Sequence, residues 1–187
     1  MNNSKIKELL DWIKSTVVAC VFTIAMITFI ISPTVVDGAS MMPTYEDGDI
    51  VLVNIIGKKI SGIERFDVIV FKAPIGEDYI KRVIGLPGDH IAYENDTLYI
   101  NDEALEEPYL DLYKEQLLDT GTLTEDFTLP SLTGNSTIPE GYLFVLGDNR
   151  RNSVDSRYPS VGLVPMDKVF GKTNIRIYPF NSLGIVK

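Results

Sequence analysis

Residues 66–89, FDVIVFKAPIGEDYIKRVIGLPGD, decide how the chain folds. Phe66 to Phe71 and Tyr79 to Ile84 are short runs rich in β-branched and aromatic residues, which suit a pleated, half-buried surface. The turn Gly85-Leu86-Pro87-Gly88-Asp89 closes the second run. The same punctuation continues outward. Ile50 to Val53 is an apolar run upstream; downstream, His90 to Tyr93 and Leu98 to Ile100 flank the polar turn Glu94-Asn95-Asp96-Thr97 as a hairpin, and Tyr142 to Leu146 and Val169 to Tyr178 complete the set. Strands at this spacing, separated by Gly/Pro turns, predict an all-β, mainly antiparallel domain of sandwich or barrel-like form. Residues 110–141 are acidic, rich in Thr and Leu, and show no clear period. They read as an excursion from the core.

Before the strands begin, the chain has a different character. Residues 1–14, MNNSKIKELLDWIK, are polar and amphipathic, and Lys5, Lys7 and Lys14 outnumber Glu8 and Asp11. Residues 15–36, STVVACVFTIAMITFIISPTVV, carry no charge. A transmembrane helix needs about 20 such residues. Pro33 predicts that the helix stops or kinks near its end. A cleavable secretory signal peptide is the competing reading, but its apolar core spans only about 7–15 residues, and Asp37 spoils the small-residue pattern before Ala39. Lysines precede the run and Asp37, Glu46, Asp47 and Asp49 follow it. The positive-inside rule then puts residues 1–14 in the cytoplasm, one transmembrane anchor at 15–36 in the lipid bilayer, and a domain of residues 37–187 outside.

Composition removes several function classes. The net charge is −9, whereas a nucleic-acid binder shows a basic face, so no nucleic-acid partner is expected. Cys20 is the one cysteine, so no intrachain disulfide can form. With a single histidine, His90, a histidine-rich zinc site is not expected.

Three places carry chemistry-bearing residues. Ser40 lies in DGASMMPTYEDGD, residues 37–49, between small Gly38-Ala39 and Met41-Met42-Pro43. A serine hydroxyl becomes a nucleophile only when a base takes its proton. Lys81 is the leading base. It shares a strand face with Tyr79 and Val83, while Ile80, Arg82 and Ile84 share the other. A strand lysine commonly snorkels to water; one buried among apolar neighbours has a lowered pKa and can accept a proton near neutral pH. Arg82 stays protonated and cannot. His90, at a turn, is the rival base and reads as structural. The third place is GDNRRNSVDSRYPSVG, residues 147–162. It reads either as a solvated turn-rich loop or as a buried polar network in which Asp155 pairs with Arg157 and Ser153 orients a neutral lysine.

These residues, in this order after an anchor, resemble the bacterial type I signal peptidases, and more closely their Gram-positive branch. The likeness rests on Ser40-Met41-Met42-Pro43-Thr44, Asp67 to Phe71, Lys81 to Asp89, Gly147 to Arg150 and Asn152 to Arg157. It implies a membrane-bound serine endopeptidase on the outer face of the membrane, with Ser40 as nucleophile and Lys81 as general base. It implies that Ser153 hydrogen-bonds the lysine and that Asp148, Asp155 and Arg157 form a supporting network. Val36, Met41, Tyr79 and Ile80 match positions lining the substrate pockets. The implied substrates are signal peptides of exported preproteins, cut after small residues at −1 and −3, with no metal or organic cofactor. Gly38 departs from members that carry a second serine there, so a differently built oxyanion hole is expected. Self-cleaving transcriptional repressors share a related Ser/Lys β-fold, but they carry a DNA-binding domain where this chain has an apolar run. A membrane-tethered binding module without activity is the third reading, which the presence of both Ser40 and Lys81 disfavours.

Overall fold

The computed structural model describes residues 3–115 and 121–186. The side chains of residues 3, 4, 25–29, 59, 60 and 112 are outside that description, as are residues 1–2 of the N-terminal segment and 116–120 of the acidic stretch.

The chain begins as one helix, α1 (Asn3–Ile30). No Gly or Pro interrupts its 28 residues, which at 1.5 Å per residue span about 42 Å. Val17, Val18, Val21, Phe22 and Ile24 stand exposed along it. By hydropathy, no helix among the described residues is long and apolar enough to cross a membrane. Pro33 lacks an N–H and biases its predecessor to extended backbone, and the helix stops three residues before it. Residues 31–35, expected from the sequence to belong to the anchor, instead form strand β1 (Ile31–Val35), paired antiparallel with β2 (Ile50–Asn54). β1 is an edge strand, the position in a sheet where proline is tolerated.

The domain is mostly antiparallel sheet. After β2 come the short helix α2 (Gly57–Ile60), then β3 (Val68–Lys72) and β4 (Asp78–Gly85). β5 (Ile91–Glu94), β6 (Thr97–Ile100) and β7 (Glu103–Leu105) follow as tight hairpins. Their turns, Asn95-Asp96 and Asn101-Asp102, take positive φ at both residues, as type I′ hairpin turns require. Next are α3 (Asp111–Glu115), β8 (Phe127–Thr128) and α4 (Leu129–Thr133). β9 (Tyr142–Leu146), β10 (Val164–Pro165), β11 (Val169–Tyr178) and β12 (Gly184–Ile185) close the chain. Among the described residues the larger sheet runs β1-β2-β11-β3-β4-β9-β10, with β12 on β11; the smaller runs β7-β6-β5-β8. The acidic stretch is therefore not wholly outside the core. It supplies β8 to the smaller sheet and buries Leu123, Leu129 and Ile138.

Period-two alternation divides the core. Ile69, Phe71, Val83, Leu143 and Val145 pack on one face of the larger sheet. Ile84, Phe144 and Leu146, on the other, meet Ile91, Tyr93 and Leu98 of the smaller sheet. A third cluster joins Val68 and Val70 of β3 to Val51 and Val53 of β2 and to Val36, Met41 and Tyr45. That last cluster lies beneath the turn carrying Ser40.

Candidate active site

Ser40 sits in the turn between β1 and β2. Met41 and Tyr45 are fully buried, and the Tyr45 N–H donates to the Met41 carbonyl at 2.9 Å, so the turn is bolted to the core from below. Val36 and Gly48 close its base, Val36 N–H donating to Asp49 O and Gly48 N–H to Val36 O. Gly38 adopts φ +84°, a conformation that favours glycine, and its N–H donates to Asp47 Oδ1 at 2.8 Å.

Lys81 comes from β4, opposite Ile69 of β3. Its Nζ lies 2.7 Å from Ser40 Oγ and 3.0 Å from the Ile80 carbonyl oxygen, and 5.1 Å from the centre of the Tyr79 ring. Only 4% of the residue is exposed, and no carboxylate lies within ion-pair distance of its amine among the described residues. Burial lowers its pKa from the ordinary 10.5 to about 8, although Asp155 and Asp148 pull the other way from a distance. A substantial share of the amine is therefore neutral at mildly alkaline pH, hydrogen-bonded to a serine hydroxyl.

The two residues open onto a cleft of about 480 Å³ whose walls include Val36, Val51, Val70, Tyr79 and Ile80. Val36, Tyr79 and Ile80, expected to line the substrate pockets, stand on the walls of this cleft. Met41 is not on the cleft wall: it is wholly buried in the core under the Ser40 turn, packed with Val36, Val51 and Val70. Asp37, Glu77 and Asp78 stand on the cleft walls as well.

The supporting residues form separate clusters. Asp148 takes a two-pronged contact from Arg82, Nε at 2.9 Å and Nη2 at 2.7 Å, and the Thr44 hydroxyl donates to the same carboxylate. Asp155 is clamped by Arg157, both contacts 2.8 Å, and accepts the Gly147 N–H at 3.0 Å. Ser153 differs from expectation. Its hydroxyl is buried without a partner among the described residues, and the Lys81 amine turns to Ser40 and Ile80 instead. Ser153 nevertheless stays close to Ser40. A Cβ added at Gly147 would fall 2.2 Å from Ser153 Oγ and 2.4 Å from Ser40 O, so Gly147 is the residue that lets the two loops meet. His90 lies elsewhere, with Nδ1 2.8 Å from the Ser136 carbonyl, and does not line the cleft.

Several residues here were not foreseen from the sequence. Arg82 and Thr44 hold Asp148. Arg150 is buried against Glu107, Tyr93, Tyr109 and Thr124. Burial alone would raise the Glu107 carboxyl, but the Arg150 guanidinium holds it below its usual range. Asn149 bonds the Ser40 turn directly: its N–H donates to Ser40 O and its Nδ2 to Ala39 O, each at 3.0 Å. Among the described residues no cluster of three or more His, Cys, Asp or Glu could hold a metal ion.

Residues 9–178 match the family described as signal peptidase, peptidase S26. The chain is 49% identical over 180 residues to a signal peptidase I of Bacillus caldolyticus, covering 96% of both chains. It is 46% identical over 179 residues to signal peptidase IB of Staphylococcus aureus, covering 94% of this chain and 92% of the relative. A crystal structure of a signal peptidase I from Enterococcus faecalis superimposes with a TM-score of 0.56 at 46% identity, covering 59% of this chain and 95% of that one.

Proposed function

The chain belongs to the signal peptidase family, peptidase S26, whose members are serine endopeptidases, and from that premise we propose that it removes signal peptides from exported preproteins by a Ser40/Lys81 dyad. The observation that carries the proposal is the 2.7 Å contact between Ser40 Oγ and the Nζ of a buried lysine. The substrate enters extended, as an added strand along the cleft. Ser40 Oγ attacks the scissile carbonyl while neutral Lys81 takes its proton. The tetrahedral oxyanion is held by the Ser40 backbone N–H. On collapse the C–N bond breaks and the Lys81 ammonium protonates the leaving amine, which departs as the new N-terminus of the mature protein. Water, deprotonated by the same lysine, then cleaves the acyl-serine ester and releases the signal peptide as a carboxylic acid. Val36, Tyr79 and Ile80 shape the pockets for small side chains at −1 and −3. Asp148, Asp155 and Arg157 hold the loops that meet around the dyad, and Ser153 lies against them.

The apolar part of α1 serves as the membrane anchor in this reading. An exposed apolar helix surface in water marks an interaction site, and lysines precede the uncharged run while carboxylates follow it. Residues 1–14 are then cytoplasmic, and the β domain, from β1 onward, faces outward.

Cleavage of a purified preprotein by the full-length chain and by Ser40→Ala tests the chemistry. The variant is expected to be inert while melting like wild type; wild-type cleavage by Ser40→Ala would end the proposal. Protease added to intact spheroplasts tests the topology: the β domain should be degraded, and full protection would reverse the orientation.

A further inference from the structure

Asn149 stands between the nucleophile turn and the acidic excursion. It is 6% exposed. Its Nδ2 donates to the Ala39 carbonyl, which also accepts the Met42 N–H at 3.2 Å. Its own N–H donates to the Ser40 carbonyl. Its Oδ1 accepts the Tyr113 hydroxyl, from α3, at 2.7 Å. The Ala39 carbonyl can only accept, so Nδ2 faces it and Oδ1 is left to take the Tyr113 hydroxyl proton.

The Ala39–Ser40 peptide is trans, so its C=O and N–H lie in one plane and point in opposite directions. A donor that fixes the Ala39 oxygen therefore fixes the direction of the Ser40 N–H. It also polarises the amide, since hydrogen bonds along a chain strengthen one another. The Ser40 N–H donates to no group among the described residues. Two residues upstream, Gly38 offers no side-chain donor, and its φ of +84° would strain any residue that could.

We propose that Asn149, oriented by Tyr113, is a positioning residue that aims and polarises the Ser40 N–H toward the oxyanion; this rests on the assignment of Ser40 as nucleophile. α3, in a stretch with no catalytic motif of its own, thereby reaches the reaction centre through one side chain.

The test uses the full-length protein with a preprotein substrate. Removing an oxyanion donor outright costs about a hundredfold or more in kcat. Asn149→Ala, which leaves the donor present but unaimed, is expected to lower kcat about tenfold with KM within about twofold. Asn149→Asp should fall at least as far, because a carboxylate would face the Ala39 carbonyl. Tyr113→Phe should show the same pattern at about threefold. Inhibition by a peptide aldehyde, whose adduct with Ser40 carries an oxyanion, should weaken in parallel with kcat. The midpoint of the pH–rate profile should not move. A raised KM at unchanged kcat, a shifted midpoint, or a kcat loss matched by an equal loss of folded enzyme would each overturn the proposal. Should the Asn149 variants not fold, Tyr113→Phe, which removes one hydroxyl, decides alone: wild-type kcat there overturns it. Ser40→Ala runs alongside; cleavage by that variant would remove the nucleophile assignment itself, an outcome separate from wild-type behaviour at Asn149.

Discussion

Lys81 and Arg82 are neighbours on β4, both nearly inaccessible to water at 4% and 3% exposure, yet the protein treats them in opposite ways. Lys81 meets a hydroxyl and a carbonyl, and the pull of Asp155 and Asp148 from a distance does not make up for the loss of water around its charge. Arg82, on the other face, is gripped by Asp148 through two nitrogens, bonds the Phe66 carbonyl, and stacks on Tyr109 at 3.9 Å. Burial, the largest single influence, would lower its pKa too, but the hydrogen bonds and charge of Asp148, with Tyr109 and Tyr45, together outweigh that and raise it. One cation is kept poised to lose its proton and the other is prevented from doing so. The difference lies in the partners and not in the depth. A buried charge with its partner is a fastener, and a buried charge without one is a reagent.

The largest effect expected from breaking this contrast is in Lys81→Arg. The positive charge is kept but the guanidinium does not deprotonate, so preprotein cleavage should fall on the order of 10⁴-fold in a folded protein. Near-normal turnover would show that Lys81 supplies only charge. On the other face, Asp148→Ala strands Arg82 as a buried, unpaired cation, which costs about 3–5 kcal/mol; urea denaturation should show it, and a loss below about 1 kcal/mol would mean Arg82 finds water or another acceptor. Lys81→Met runs in the reverse direction. The folded-state pKa near 8 lies below the ordinary 10.5, so the unfolded chain binds the extra proton between those values, and wild-type stability rises with pH across that window. Below about pH 8 the full penalty, about 3 kcal/mol, is present. The variant should be more stable than wild type by that amount at pH 7, with the gain shrinking as pH rises from 8 to 10.5. The subtlest test is kinetic. Wild-type kcat/KM should climb with pH to a half-maximum near 8, because only the neutral amine is a base. His90→Ala should leave the curve in place; loss of the limb there would transfer the base role to His90.

Much of this was readable from the residues, with gaps of a physical kind. β2, β3, β4, β9 and β11 are long enough for their apolar character to show. β8, β10 and β12 have two residues each, too few for any period. β1 was hidden because its residues continue the uncharged run of α1, and a fully apolar stretch has no alternation to betray a strand. Ser40 and Lys81 could be paired because their chemistry singles them out. Asp148 could be marked as buried and polar, but its partner lies 66 positions away and nothing in local spacing points to Arg82. Asn149 could be counted with the polar loop, but its tie to the Ser40 turn could not be read: those contacts are to backbone carbonyls, which leave no trace in residue type. Gly147 reads as a turn former, and only the packing reveals it as a point of close approach.

The junction of α1 and β1 has a mechanical meaning. The helix ends at Ile30, the sheet begins at Ile31, and the Ile30 carbonyl accepts the Ile55 N–H from just past β2 at 2.9 Å. The cleft wall starts at Thr34. There is no slack between post and blade. In the anchored topology proposed above, the cutting edge is held at one height over the lipid, like a plane iron set in its stock. A substrate lodged in the same membrane meets it by sliding sideways and turning, so the encounter frequency depends on copies per unit area and hardly on concentration in the surrounding water. Each extended residue spliced between Ile30 and Ile31 would lift the edge by up to about 3.5 Å, so the length of that joint sets how far above the lipid the cleft stands.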